Sequence, residues 1–102
     1  MKLPSKKEAL MKTLLCETAA VIHVIDKGAA TVALVDVEKG ATEISKLETA
    51  FMKTNSIHEA WYTSEDVEFV GPKPGCRSTS VGDFVVVGTT KYVCETAGWS
   101  KV

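Results

Sequence analysis

An α+β domain is the fold class this sequence predicts, and three observations predict it. The stretch ATEISKLETAFMKTN (41–55) carries Ile44, Leu47, Ala50 and Phe51 at helical spacing, with Lys53 in the last turn and Asn55 at the exit. Four β-prone segments form two closely spaced pairs, TAAVIHVID (18–26) with TVALVDV (31–37), and FVVV (84–87) with KYVCE (91–95). No repeat, low-complexity tract or linker interrupts the chain, so residues 1–102 are expected to form a single domain. At that length, folding hides roughly 65% of the surface the unfolded chain exposes, and one core suffices.

The elements follow in order. Pro4-Ser5 with Glu8 fits a capping box, and Leu10, Met11, Leu14 and Leu15 then recur at helical spacing, which predicts a short helix over residues 6–15. Asp26-Lys27-Gly28 is a turn signal, so the first two strands are expected to form a β-hairpin. After the main helix, SIHE (56–59) repeats the capping-box pattern and opens a short helical turn bearing Trp61 and Tyr62. From Thr63 to Gly75 the chain is acidic and then rich in Pro and Gly, so GPKPG is expected on a surface loop. FVVV and KYVCE make the second hairpin around Gly88-Thr89-Thr90, and GWSKV adds a final edge. The expected architecture is a mainly antiparallel sheet with one main helix packed on it. Trp61 and Trp99 are expected to pack mainly against the core with their ring edges exposed.

Charge and cysteine usage narrow the function. Net charge is −1, so no global field draws in nucleic acid or an acidic membrane face. Of twelve basic residues eleven are lysine, and the single arginine, Arg77, supplies the only fork suited to bidentate phosphate or base reading. A nucleic-acid function is disfavoured on this ground. Three cysteines with no CxxC argue for a reducing compartment, and no run approaches the ~20 apolar residues of a membrane helix. The lysine-and-leucine N-terminus does not fit a secretion signal, since Glu8 and Lys12 break its apolar stretch. A cytoplasmic location is expected.

Candidate chemistry is sparse. Cys16, His23, His58, Cys76 and Cys94 are scattered singly, without metal-ligand spacing, so no metal is expected. Phosphate-cradling glycine motifs are absent, and no cofactor is implied. Cys76 beside Arg77, with His58 as base, is the one nucleophile arrangement on offer, but nothing in the sequence brings the two together. His23, between valines and isoleucines, reads as an edge or hydrogen-bonded core histidine. Cys94, alternating with Tyr92 in a strand, reads as a small core hydrophobe. The most distinctive stretch is RSTSVGDFVVV (77–87). Gly82 and Asp83 suit a turn into a strand, and Ser78, Thr79 and Ser80 can satisfy backbone groups there. Opposite charges on Arg77 and Asp83 could close that turn. The same hydroxyls and amides could also hold an anion beside Arg77. The candidate binding residues are therefore Arg77, Ser78, Thr79, Ser80 and Asp83, together with Trp61.

TNSIHEAWYTSEDV (54–67), RSTSVGD (77–83), the apolar strand after it, Tyr92 and Gly98-Trp99 occur in an order that resembles a group of small uncharacterised proteins of bacteriophages and mobile elements. The resemblance covers about half the chain, and GPKPGC departs from it. It implies a compact α+β domain of phage-like origin and no particular reaction.

The first functional reading is a non-catalytic phage-type accessory module, acting through protein–protein contacts or self-association with a host or phage partner. Consecutive apolar pairs, Val21-Ile22 and Val24-Ile25, look as if both sheet faces are covered, which points to a dimer. The alternative is an RNA- or nucleotide-binding domain using the 77–83 loop. A third reading is an enzyme using Cys76 or His58.

Overall fold

The computed structural model describes residues 15–25, 28–55, 60–63, 67–72 and 76–102. Strands β1 (Cys16–Ile25) and β2 (Gly28–Glu38) are followed by helix α1 (Glu43–Lys53) and a 3-10 turn at Trp61–Thr63. Strands β3 (Val67–Phe69), β4 (Phe84–Val87), β5 (Thr90–Glu95) and β6 (Gly98–Lys101) complete the order. All six strands lie in one antiparallel sheet, ordered β3-β2-β1-β4-β5-β6. This is an α+β domain with β1 and β4 at its centre. The helix expected over residues 6–15 lies, apart from Leu15, outside the described residues, as do the Asp26-Lys27 turn, the SIHE cap and residues 73–75 of GPKPG.

Strand alternation decides which face becomes the core. In β1, Ala19, Val21 and His23 have no exposed surface, while Ala20, Ile22 and Val24 point the other way. The paired registers carry that inner face through Ala33 and Val35 of β2 and through Val85 and Val87 of β4. Leu47 and Ala50 of α1 and the Trp61 ring close over it. The register of β1 with β2 shifts between Val21 and Ile22, which leaves Val32 as an extra residue buried beside Ala33.

Helix α1 begins where Thr42 Oγ1 accepts from the Ser45 amide at 3.2 Å, and Glu43 and Lys53 sit at the ends that suit the helix dipole. An ion pair between Lys46 and Glu17 ties α1 to β1. The helix is rolled toward Ala50 and Thr54, so Ile44, expected on the buried stripe, is 57% exposed. Phe51 is half-buried and meets Trp99 edge-on, with centroids 6.2 Å apart, and Trp99 Nε1 donates to Glu48 at 3.2 Å.

One segment corrects the sequence expectation. The sequence predicts no strand between Thr63 and Gly75, yet Val67–Phe69 forms the edge strand β3 on β2, with Val67 buried and Phe69 packed against Trp61. A three-residue strand is too short to display a period, and acidic residues precede it. Among the described residues, no helix is long and apolar enough to cross a membrane.

Removing the Leu47 side chain opens a cavity between α1 and the sheet. Leu47→Ala is expected to cost about 2–5 kcal/mol in chemical denaturation, whereas Ile44→Ala changes stability by less than about 0.5 kcal/mol. Equal losses would contradict the placement of α1.

Candidate functional site

Strands β1 and β4 pair from Ala19↔Val87 to Ile22↔Phe84. Before Phe84 the chain turns aside, with the Asp83 amide bonded to the Ser80 carbonyl at 3.0 Å and Gly82 at φ 95°, a backbone that favours glycine. Side chains then continue the ladder past Ile22. Asp83 Oδ1 accepts from the Val24 amide at 3.0 Å, and Arg77 Nη2 donates to the Val24 carbonyl at 3.0 Å. The two residues are joined as a fork, Nη1 to Oδ2 at 2.6 Å and Nη2 to Oδ1 at 2.8 Å.

Little donor capacity at the tip of Arg77 is left for an outside ligand. Besides Asp83 and Val24, Nη1 reaches the Ser78 carbonyl at 3.0 Å and Ser80 Oγ at 3.3 Å. Five acceptors within the chain thus face four terminal N–H groups. Asp83 also accepts from the Ser80 amide at 2.9 Å. Burial pushes the Asp83 carboxyl up, but the Arg77 fork, the Ser80 and Val24 amides and His23 outweigh it and hold the pKa below its ordinary value. The Arg77 pKa is raised, chiefly by its hydrogen bonds to Asp83.

Between these two residues the loop drives Thr79 into the core. The Thr79 amide donates to the Thr54 carbonyl at 2.9 Å, and Asn55 Nδ2 donates to the Thr79 carbonyl at 2.7 Å, which stitches the loop to the end of α1. Below it runs a chain of four polar contacts whose direction is forced. Thr54 Oγ1 donates to the Ala50 carbonyl at 2.8 Å, because a carbonyl only accepts. Its hydrogen being committed, Thr54 Oγ1 must accept from Thr79 Oγ1 at 2.7 Å. Thr79 Oγ1 in turn must accept from His23 Nε2 at 2.8 Å. His23 is therefore the Nε2–H tautomer, and its Nδ1 lone pair faces Cys76 Sγ at 3.3 Å, where the thiol is the donor.

Trp61 roofs this arrangement. Its Nε1 donates to the Arg77 carbonyl at 3.0 Å, and its ring meets His23 edge-on at 6.1 Å between centroids. Burial lowers the His23 pKa; Asp83, with Oδ2 3.9 Å from Nε2, opposes that shift and Arg77 reinforces it. Burial raises the Cys76 pKa, with Arg77 opposing and Asp83 adding to the rise. The pair at rest is a neutral thiol against a neutral imidazole.

The sequence-derived candidates Arg77, Thr79, Ser80, Asp83 and Trp61 thus converge, and Ser78 contributes its carbonyl. The sequence reads His23 as an edge or hydrogen-bonded core histidine and Asn55 as the helix exit, and the structure buries and hydrogen-bonds His23. What the sequence does not name is His23 as the neighbour of Cys76, or Thr54 and Asn55 as partners of the loop. A signal existed for His23. It occupies an inward position of β1 beside Ala19 and Val21, and a buried imidazole requires partners that the hydroxyl-rich RSTS stretch can supply. His58, paired with Cys76 in the sequence reading, lies outside the described residues. Among the described residues, no group of three or more His, Cys, Asp or Glu could hold a metal ion.

A second surface stands apart from the loop. On the sheet face opposite α1, Ile22 and Val24 of β1, Leu34 of β2, Phe84 and Val86 of β4 and Val93 of β5 lie across four adjacent strands. Lys91 sits 4.3 Å above the Phe84 ring at one side of this field, and Glu68, opposite Leu34 in register, marks the other. The chain matches no family model, no curated protein and no solved structure.

Arg77→Ala and Asp83→Ala are each expected to lower stability by about 1–3 kcal/mol, below the ~3–5 kcal/mol of a fully buried pair because the Arg77 side chain is 46% exposed. The double variant is expected to lose less than the sum. Because both the Asp83 and the His23 pKa are depressed, folding loses stability as pH falls. The His23 contribution wanes below its ordinary value of about 6.5, and that of Asp83 below about 3.9. Thermal melts of the three variants across that range check both; additive losses with an unchanged acid limb would contradict the site as described.

Proposed function

We propose that the chain is a non-catalytic interaction module, an accessory protein of phage type working in the cytoplasm, which self-associates through the outer face of its sheet. The observation that carries this reading is the apolar field of Ile22, Val24, Leu34, Phe84, Val86 and Val93, opposite the face on which α1 and Trp61 pack. Val24 is exposed and the other five are half-buried, and the apolar area they leave in water is removed by docking.

A second copy is the occupant best matched to it. The sheet's midline falls between β1 and β4, so a two-fold axis along the strands sets β1 over the partner's β4 and β2 over the partner's β5. That operation lays Lys91 at the β5 side of one copy near Leu34, Asp36 and Glu68 at the β2–β3 side of the other. A net charge of −1 leaves little repulsion between copies. Four strands at ~4.8 Å each give a patch roughly 20 Å wide, the small end of stable interfaces, so the dimer should dissociate on dilution rather than be obligate. The nucleotide-binding reading of the 77–83 loop is the weaker one, because the Arg77 tip is already engaged by acceptors of the chain itself.

Sedimentation across a concentration series tests the reading. The parent is expected to pass from monomer to dimer with rising concentration, while Val86→Lys stays monomeric with unchanged circular dichroism. A parent that is monomeric throughout, or a Val86→Lys variant that still dimerises, would refute the proposed face.

A further inference from the structure

We propose that Cys76 is a base-assisted thiol, a modification site for small uncharged hydroperoxides, with His23 Nδ1 as the acceptor of its proton. The dimerisation reading makes no use of this pair, and neither does the loop's role in holding the sheet. Fork, turn and stitching to α1 are built from Arg77, Asp83, Ser80, Thr79 and Asn55. What remains is a fully buried imidazole whose tautomer is fixed from the Ala50 carbonyl upward, and whose one free lone pair is aimed at a half-buried sulfur 3.3 Å away. Nucleophile, base and orienting hydroxyl are the three parts an activated thiol needs.

The step balances with the hydroperoxide as oxidant. As the Cys76 S–H proton passes to Nδ1, the sulfur electron pair attacks the near peroxide oxygen and the O–O bond breaks. Cys76 becomes a sulfenic acid, oxidised by two electrons. The leaving hydroxide or alkoxide takes the proton back from His23 and departs as water or an alcohol, which leaves His23 neutral again. Thr79 Oγ1 holds the Nε2–H throughout, and positive charge arising on the ring during transfer lies 3.9 Å from the Asp83 carboxylate. Trp61 over the ring and the packing of Cys76 against the core restrict access to small reagents.

Among the described residues, the charged groups facing the pair are Arg77 and Asp83, which neutralise one another; the C-terminal cap of α1 presents the Thr54 hydroxyl. Moving a proton within the pair changes no net charge. Reactivity should therefore be level with pH above the depressed His23 titration, whereas an unassisted thiol gains about tenfold per pH unit until its own pKa.

The test is sulfenic acid formation at Cys76 by hydrogen peroxide, trapped with dimedone and assigned by peptide mass, from about pH 6.5 to 8. The expected profile is flat. Thr79→Val, which takes the acceptor from Nε2–H, is expected to lower the rate at least about tenfold at neutral pH and to restore the climb with pH, while Thr79→Ser keeps the parent profile. A Cys76 that resists peroxide, or whose parent rate climbs about tenfold per unit as a free thiol does, overturns the proposal even if Thr79→Val does not fold.

Discussion

The fork between Arg77 and Asp83 lets a polar loop complete an apolar sheet. Strand β1 extends to Ile25, but its pairing with β4 stops at Ile22, and the Val24 amide and carbonyl would otherwise face the turn with no strand opposite. The Arg77–Asp83 pair presents one acceptor and one donor at that rung, as a neighbouring strand would. An unsatisfied backbone group costs about 1–3 kcal/mol when buried, so the substitution matters most where the strand meets the core. Opening the fork would release Ser80, the turn at Gly82 and the path that carries Thr79 inward.

From that constraint the rest of the site follows as directed hydrogen bonding rather than as separate placements. The loop can deliver Thr79 to Thr54 only because its ends are held. Thr54 can orient Thr79 only because its own hydrogen is committed to the last turn of α1. His23 is thus tuned by a helix carbonyl far from it in sequence. A neutral imidazole in a sealed core and a thiol on its lone pair are consequences of closing the loop.

Much of the architecture was legible in the sequence because its periods are long. Eleven residues of α1 and the β-prone runs of β1, β2, β4 and β5 announce themselves, and the α+β class follows from them. Strand β3 was not legible, since three residues after an acidic stretch carry no period, and its stability comes from β2 and the Trp61 cluster. Ile44 misled for a related reason. Helical spacing defines a stripe, but tertiary contact decides how the helix is rolled about it. In the site, the closeness of Arg77 and Asp83 could be read from opposite charges bracketing a turn. The neighbour of Cys76 could not, because 53 residues separate it from His23 and only the fold's register brings them together.

The central claim is that the closed loop fixes the protonation of His23, and nitrogen NMR of its ring measures this directly. At neutral pH the account predicts a neutral ring protonated at Nε2 in the parent, with its titration displaced below the ordinary value, and loss of that single state when Arg77→Ala opens the fork. A ring protonated at Nδ1, or one that titrates near the ordinary value of about 6.5 in the folded parent, would contradict it.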